Sequence, residues 1–308
     1  MNTHPQQLHS PQRGCRMPDD AAAVARDAAE ADSAFSHPAV TPDATAAYGE
    51  HPDQVIDFYE PRTVTETPAP LVVALHGGAW RAPYDRQHLT PFADFLARRG
   101  FAVANVEYRR GSSIPAQGGG PAAGRWPETF DDVAAAFDAL PALVAELLPS
   151  ADVRRTVVTG HSAGGHLALW AASRHVLPTG SPWRIDRPAA FRGVVALAPI
   201  ADFRMAQELG VCSDAALQLL GEKGKFEERL AHADPAALLP TGIATTVVQG
   251  RTDIVVPQAV AEAYADAAAK AGEVVGVTLL EDVGHFPLID PAADACAVVA
   301  EEIAQLAY

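Results

Sequence analysis

The chain has 308 residues and a formal net charge of −15, from 38 acidic and 23 basic residues. Its length suits one large α/β domain with its own core and leaves too little chain for a second independent domain. No cluster of Lys and Arg and no basic helix face stands out, so we expect neither nucleic acid nor an anionic membrane surface as a partner.

The first 45 residues are rich in Ala, Asp, Pro, Gln and His and carry few large apolar side chains. Such a segment buries too little apolar area to offset the entropy lost on ordering, so we predict a flexible extension over residues 1–45. Within it, residues 19–35 are rich in helix-forming alanine, which favours a short helix lying over the domain. The α/β domain itself is predicted to span residues 46–308.

From residue 55 onwards, apolar strands alternate with helical segments. A β-rich run, VIDFY, starts at residue 55, and apolar strands are predicted at 71–76, 101–106, 154–160, 191–198, 243–249 and 274–280. Helices are predicted from their spacing or their Ala and Leu content at 86–99, 128–148, 162–174, 257–271 and 291–306. This alternation is typical of a doubly wound, mostly parallel sheet with helices on both faces.

Two segments interrupt the alternation. Residues 108–127 are too rich in glycine and proline for regular structure, and we expect a loop that borders the pocket. Residues 202–233 break the strand and helix pattern, and we predict that they supply a small cap over the strand ends.

A candidate oxyanion hole follows the strand at 71–76, which runs into the sequence HGGAW. Glycines directly after an early strand leave backbone N–H groups free to face a substrate oxygen. We therefore assign the N–H groups of Gly78 and Ala79, together with that of Ala163 further along the chain. His76 is expected to brace this loop rather than to react.

A candidate nucleophile lies in the sequence GHSAG, between the strand at 154–160 and a helix. A G-x-S-x-G in this position matches the nucleophile elbow, a sharp turn that lifts the serine hydroxyl above the sheet. The two glycines are needed because side chains there would collide with neighbouring backbone. The motif predicts Ser162 as the nucleophile, with an ordinary structural turn as the alternative.

A serine hydroxyl is a weak nucleophile until a base removes its proton. In sites built on such an elbow, the acid and then the histidine follow the serine along the chain, each on a loop after a late strand. Asp253 follows the strand ATTVVQG, and His285 follows VVGVTLLEDV. We predict His285 as general base and Asp253 as the acid that orients it, with Asp282 and Asp290 as alternative acids. This chemistry needs no metal or cofactor, and we expect none.

The three cysteines of the chain are widely spaced and form no zinc-binding or disulfide pattern. No apolar run approaches the roughly 20 residues that cross a bilayer, and the N-terminus lacks a basic segment followed by an apolar stretch. We therefore expect a cytoplasmic protein that does not insert into a membrane. The sequence leaves the oligomeric state open, a homodimer included.

The motifs HGGAW, GHSAGGHLALW, QGRTDIVVP and GHFPLIDP together resemble the α/β-hydrolase esterases of the hormone-sensitive-lipase and acetyl-esterase type, from about residue 48 to the C-terminus. By motif the chain is most similar to the kynurenine formamidase (arylformamidase) subgroup. The resemblance implies an α/β-hydrolase fold, a serine hydrolase, the oxyanion donors Gly78 and Ala79, and a histidine after the elbow, here His166. The chain differs from the lipase-like GDSAGG in having His161 before the serine.

The sequence therefore predicts hydrolysis of a small carboxylic ester through an acyl-enzyme, with hydrolysis of N-formylkynurenine as the alternative. A small-molecule ester or N-acyl amide is the expected substrate. Trp80 and Trp126 are candidates to stack on an aromatic leaving group or, alternatively, core residues, and His161 is a further candidate pocket residue. A non-catalytic ligand-binding protein and a lyase on the same fold are the remaining alternatives.

Overall fold

The computed structural model describes residues 21–63, 66–111, 123–221 and 223–308. Within these residues a single sheet is formed by β1 (Ala44–Ala47), β2 (Val55–Tyr59), β3 (Ala69–Leu75), β4 (Ala102–Val106), β5 (Ala151–His161), β6 (Phe191–Leu197), β7 (Thr245–Gly250) and β8 (Gly276–Leu280). The strand order is β1-β2-β4-β3-β5-β6-β7-β8. β2 pairs antiparallel with both β1 and β4, and the other neighbouring pairs are parallel. This topology confirms the predicted mostly parallel, doubly wound sheet.

Helices cover both faces of the sheet. The described part of the chain contains α1 (Ala21–Ser36), α2 (Thr90–Arg98), α3 (Glu128–Leu147), α4 (Ala163–Ala172), α5 (Phe203–Glu208), α6 (Ala215–Leu219), α7 (Lys223–Ala233), α8 (Gln258–Lys270) and α9 (Asp294–Ala307). The helices predicted at 86–99 and 291–306 are confirmed with later starts, since α2 begins at Thr90 after a 3-10 turn and α9 begins at Asp294. None of the helices in the described ranges combines the length and apolar content needed to cross a membrane.

The central strands are buried on both sides, which explains their continuous apolar sequences. All seven residues of β3 and all five of β4 are buried. Successive side chains of a strand point to opposite faces. In β3, Leu71, Val73 and Leu75 therefore join a core with α3, α4 and α8, whereas Val72 and Ala74 join a second core with α2 and α9. The functional loops consequently start from a rigid, doubly covered sheet.

The predicted cap corresponds to three short helices, α5, α6 and α7, which occupy residues 203–233. The turn between α5 and α6 contains Cys212 and Ser213, which line the cleft described below. Of the glycine-rich loop predicted to border the pocket, residues 112–122 lie outside the described residues.

The N-terminal segment differs from the prediction of a flexible extension over residues 1–45. Residues 21–36 form α1, which confirms the short helix expected there, and the boundary drawn at residue 45 falls inside β1. Between them the chain follows the domain, because the Val40 N–H donates to Thr90 Oγ1 and the Val40 carbonyl accepts from the Tyr59 hydroxyl. The error has a physical cause: hydrogen bonds and aromatic contacts, rather than a large apolar face, hold this segment. Residues 1–20 lie outside the described residues.

Candidate active site

Ser162 lies at a sharp turn between the end of β5 and the start of α4. Its backbone angles, φ 57° and ψ −116°, belong to a strained region that L residues rarely adopt. A Cβ added at Gly160 would overlap the backbone at Gly164, and one added at Gly164 would overlap the backbone at the end of β3. The predicted steric reason for both glycines is therefore confirmed. The backbones of β3, β5 and α4 must approach this closely to hold Ser162 in the turn.

Asp253 and His285 form a buried hydrogen-bonded pair. The distance from His285 Nδ1 to Asp253 Oδ2 is 2.6 Å, and the residues are 2% and 6% exposed. Asp253 Oδ1 accepts the N–H groups of Val255 and Val256, each at 2.8 Å, so the turn after β7 holds the carboxylate in place. Because Nδ1 faces the carboxylate, Nε2 of His285 is the nitrogen left to exchange a proton.

Gln249, at the end of β7, also supports this carboxylate, and the sequence analysis did not find it. Its Nε2 lies 3.3 Å from Asp253 Oδ2 and 3.1 Å from the Val256 carbonyl oxygen. The side chain is fully buried. A glutamine directly after two valines of a buried strand was the signal in the sequence, since buried polar groups need a partner.

The alternative acids are placed differently. Asp282 is exposed in a turn with φ 56°. Asp290 is buried, but its carboxylate accepts hydrogen bonds from the side chains of Ser33 and His37, which precede β1. Of the three candidate acids, Asp253 is the one that the structure joins to His285.

Ser162 and His285 line the same cleft, whose volume is about 660 Å³ including its open mouth. The other lining residues are Phe35, Gly78, Ala79, Arg81, Tyr84, His88, His161, Cys212, Ser213, Val255 and Phe286. The cleft is thus a mixture of aromatic rings, small residues and one guanidinium. In the described ranges, no three His, Cys, Asp or Glu side chains are grouped so that they could hold a metal ion.

The predicted oxyanion donors border this cleft. Gly78 and Ala79 line it, with φ values of 103° and 51°, and Ala163 is the first residue of α4. Within the described residues, none of their three N–H groups donates a hydrogen bond. A Cβ at Gly77 would come within 3.3 Å of Ser162 Cβ, so the loop packs directly against the nucleophile. Three N–H groups beside a helix N-terminus provide a favourable place for developing negative charge.

His161 lines the cleft and supports the candidate base. Its Nε2 lies 3.0 Å from the carbonyl oxygen of His285, and the two ring centroids are 4.3 Å apart. Burial lowers the pKa of His161 well below its usual value, so the ring is neutral and carries its proton on Nε2 to donate this bond. His161 therefore holds the backbone of His285 against the elbow.

His76 braces the oxyanion loop, as expected. Its Nε2 lies 2.8 Å from Glu107 Oε1, and its ring stacks on Tyr108 at 4.3 Å. The Tyr108 hydroxyl in turn donates to the His76 carbonyl at 2.7 Å. Burial acts to raise the pKa of Glu107, but attraction to His76 and Arg110 and the hydrogen bonds from His76 and the Arg86 N–H lower it to about 2, so Glu107 stays ionised.

The prediction that Trp80 and Trp126 line the substrate pocket is wrong. Trp80 is fully buried, with its ring edge-on to His166 at 5.1 Å. Trp126 packs edge-on against Trp183 at 5.2 Å, with the guanidinium of Arg229 at 4.9 Å from its ring. Neither side chain lines the cleft. Large aromatic side chains gain much from burial, and here the core takes in Trp80 fully while Trp126 packs against its edge.

Solved structures with a similar fold include several esterases. The chain aligns with Esterase B from Lactobacillus Rhamnosis (HN001) at a TM-score of 0.69 and 18% identity, covering 93% of both chains. A truncated carbohydrate esterase from gut microbiota aligns at 0.68 and 18% identity, covering 87% of this chain and 97% of that one. Esterase Est2 of the Planctomycetes species Thermogutta terrifontis aligns at 0.61 and 20% identity, covering 86% and 90%. The chain therefore has the α/β-hydrolase fold.

Sequence comparison adds a family. A model of the BD-FAE family matches residues 56–267, and the chain belongs to this family. The Esterase LipC of Mycobacterium tuberculosis (strain ATCC 25618 / H37Rv) is 27% identical over 155 residues, a match that covers 47% of this chain and 35% of that relative. The chain thus matches about a third of the length of this curated relative. Membership in the kynurenine formamidase subgroup stays a prediction.

The packing at the elbow predicts the effect of Gly164→Ala. The added methyl group would overlap the backbone at the end of β3, so α4 must move away and Ser162 loses its position. We expect a clear drop in the melting temperature and loss of covalent labelling by a serine-directed fluorophosphonate. Gly224→Ala in α7 is the matched control, because a methyl group there meets no neighbour within 4 Å and alanine favours helix. Normal stability and labelling of Gly164→Ala would show that the elbow does not need this contact.

His166 predicts part of the acid sensitivity of the fold. Its Nε2 lies 2.9 Å from the Ala233 carbonyl oxygen, and burial lowers its pKa to about 3. Between pH 6.5 and 3, His166 is therefore protonated in the unfolded chain, where a histidine has a pKa of about 6.5, but neutral in the folded chain. As the pH drops through this range, the free energy of unfolding should decrease by about 1.4 kcal/mol per pH unit from His166 alone.

His166→Gln should reduce that slope, measured by urea unfolding between pH 4 and 7. Asp234, whose burial raises its pKa to about 7, contributes with the opposite sign, so the informative quantity is the difference between variant and wild type. His51→Gln, in an exposed turn, is the control and should leave the slope unchanged. Equal slopes for His166→Gln and the wild type would contradict a buried neutral histidine.

Proposed function

We propose that the protein is a serine hydrolase that cleaves small carboxylic esters through an acyl-enzyme. The observation that carries the proposal is the convergence of three features on one cleft. These are a serine at a strained elbow, a histidine paired at 2.6 Å with a buried carboxylate, and backbone N–H groups that donate to no described part of the chain. Convergence of this kind is what nucleophilic acyl transfer requires.

In the first half of the proposed reaction, Ser162 Oγ attacks the carbonyl carbon of the ester while Nε2 of His285 takes its proton. Asp253 stabilises the imidazolium through Nδ1–H, which is the nitrogen that faces it. The negative oxygen of the tetrahedral intermediate is stabilised by the N–H groups of Gly78, Ala79 and Ala163. Collapse of the intermediate breaks the ester C–O bond, and the departing alcohol takes the proton from His285.

In the second half, water attacks the acyl-enzyme as His285 removes its proton, and the acid leaves when Ser162 regains its hydrogen. Each oxyanion donor is worth roughly 3 to 4 kcal/mol of transition-state stabilisation. Because these donors belong to the backbone, the loop that carries them must be rigid. The His76 and Glu107 brace serves this end.

The kinetic test compares Ser162→Ala, His285→Ala and the double variant on a p-nitrophenyl ester. Each single substitution should lower kcat by about 10⁴- to 10⁶-fold, and the double variant should lose little more, because the members of a triad act as a unit. Ser213→Ala is the matched control, since this serine lines the same cleft but is not part of the triad. It should retain turnover and fluorophosphonate labelling.

Additive losses in the double variant would contradict a concerted triad. Turnover that survives Ser162→Ala would indicate a lyase, and a wild type that is neither active nor labelled would indicate a ligand-binding protein.

A substrate panel distinguishes the ester from the formamide. It compares p-nitrophenyl esters of increasing chain length with N-formylkynurenine at one pH. We expect higher kcat/KM on the short esters, because a cleft of about 660 Å³ lined by aromatic rings and small residues suits a short acyl chain. A preference for the formyl amide by orders of magnitude would replace the ester assignment by an arylformamidase.

A further inference from the structure

Helix α1 contacts both loops that carry the candidate acid and base. Glu30 Oε1 accepts the N–H of Gly284 at 3.1 Å, and Arg26 Nη2 donates to the carbonyl of Thr252 at 3.4 Å. Gly284 directly precedes His285, and Thr252 directly precedes Asp253. One turn of an N-terminal helix therefore touches the chain next to each half of the Asp253–His285 pair.

The apolar packing of α1 does not account for this placement. Only Ala23 and Ala34 of its sixteen residues are buried, and Val24 is 58% exposed. The helix is instead held by polar side chains and by Phe35, whose ring lies 5.3 Å from that of Phe286. Docking of α1 thus depends on contacts with the loops of the site.

The fit between Glu30 and Gly284 is close. The three atoms nearest to a Cβ added at Gly284 would all belong to the Glu30 carboxyl group, which such a Cβ would displace. Gly284 has an ordinary φ, so close approach, not backbone conformation, is what glycine allows here. A side chain at position 284 would therefore separate the carboxylate from the N–H.

Two carboxyl groups on this face of α1 are partly buried and incompletely hydrogen-bonded. Burial raises the pKa values of Asp27 and Glu30, and among the described residues Asp27 Oδ1 and Glu30 Oε2 have no hydrogen-bond partner. Burying an unpaired carboxylate oxygen is unfavourable. A compensating attraction between Asp27 and His285 strengthens whenever the imidazole is protonated, as it is during the proposed reaction.

The backbone of His285 is also held by the elbow. His161 donates from Nε2 to the carbonyl of His285, while Glu30 accepts the preceding N–H of Gly284. The two hydrogen bonds restrain the backbone on either side of His285 in the chain, one before its Cα and one after it. Because the imidazole must reach Ser162 on one side and Asp253 on the other, small displacements of this backbone change the geometry of proton transfer.

We propose that Glu30 is a positioning residue for catalysis, which holds His285 in register with Ser162 through the N–H of Gly284. The proposal rests on the function proposed above. It makes α1 part of the active site, so that the N-terminal segment acts on the chemical step.

The first test measures kcat and KM of Glu30→Ala and Glu30→Gln on the best p-nitrophenyl ester. Glu30→Ala should lower kcat by about 10- to 100-fold with KM within about twofold, because a misplaced base slows chemistry rather than binding. Glu30→Gln should recover most of kcat, since its amide oxygen can accept the same N–H. Asp32→Asn, exposed on the same helix, is the control and should match the wild type.

The second test is a double-mutant cycle between Glu30→Ala and Gly284→Ala. Gly284→Ala should lower kcat by a factor similar to that of Glu30→Ala, because its methyl group displaces the carboxylate. The double variant should lose no more than either single variant, since both act through one contact. If Glu30→Ala does not fold, as judged by its melting temperature, the comparison of Gly284→Ala with Glu30→Gln decides the question.

Wild-type kcat in Glu30→Ala, or losses that multiply in the double variant, would overturn the positioning role. These outcomes differ from failure of the proposed function, in which the wild type itself would show no turnover that depends on Ser162.

Discussion

The close approach of three backbone segments at the elbow is the constraint on which the rest of the site depends. Ser162 occupies strained dihedral angles, and such strain persists only where the surroundings hold it in place. Here the end of β3, the end of β5 and the start of α4 meet without side chains between them, at Gly160 and Gly164. The same contact brings the loop after β3 beside the nucleophile. One packing arrangement therefore fixes both the position of the Ser162 hydroxyl and the position of the oxyanion donors.

The electrostatics of the site follow from burial. His161 and His166 are held neutral because burial lowers their pKa values, and this effect outweighs the hydrogen bond that each ring donates to a carbonyl. Asp253 and Glu107 are different, since each carboxylate receives several hydrogen bonds from chain that is itself fixed. A buried charge is tolerated when its partners are already in place. The pairing of Asp253 with Nδ1 of His285 leaves Nε2 as the nitrogen for the proposed proton transfer.

Much of the fold and of the candidate site could be predicted from the sequence, and the omissions share a cause. Alternation of apolar strands and helices reflects burial of the sheet on both faces, and the order of Ser162, Asp253 and His285 reflects the strand ends that carry them. Both are local patterns with a direct structural meaning. The sequence analysis placed Trp80 in the pocket, missed Gln249 and did not predict how α1 docks. These features depend on the side of an element to which a side chain points, or on contacts between distant segments. Such contacts have no local pattern, because they depend on the completed packing.

The sheet and the segments that connect its strands contribute different parts of the site. The groups proposed to react lie at strand ends, which the sheet places in space. The walls of the cleft come from other parts of the chain: Phe35 from α1, Tyr84 from the loop after β3, and Cys212 and Ser213 from the turn between α5 and α6. The chain shares its fold with solved esterases at only 18–20% identity. In the proposed function the sheet positions the reacting groups and the connecting segments shape the cleft. Helix α1 takes part in both, because it contacts the loops that carry Asp253 and His285 and lines the cleft through Phe35.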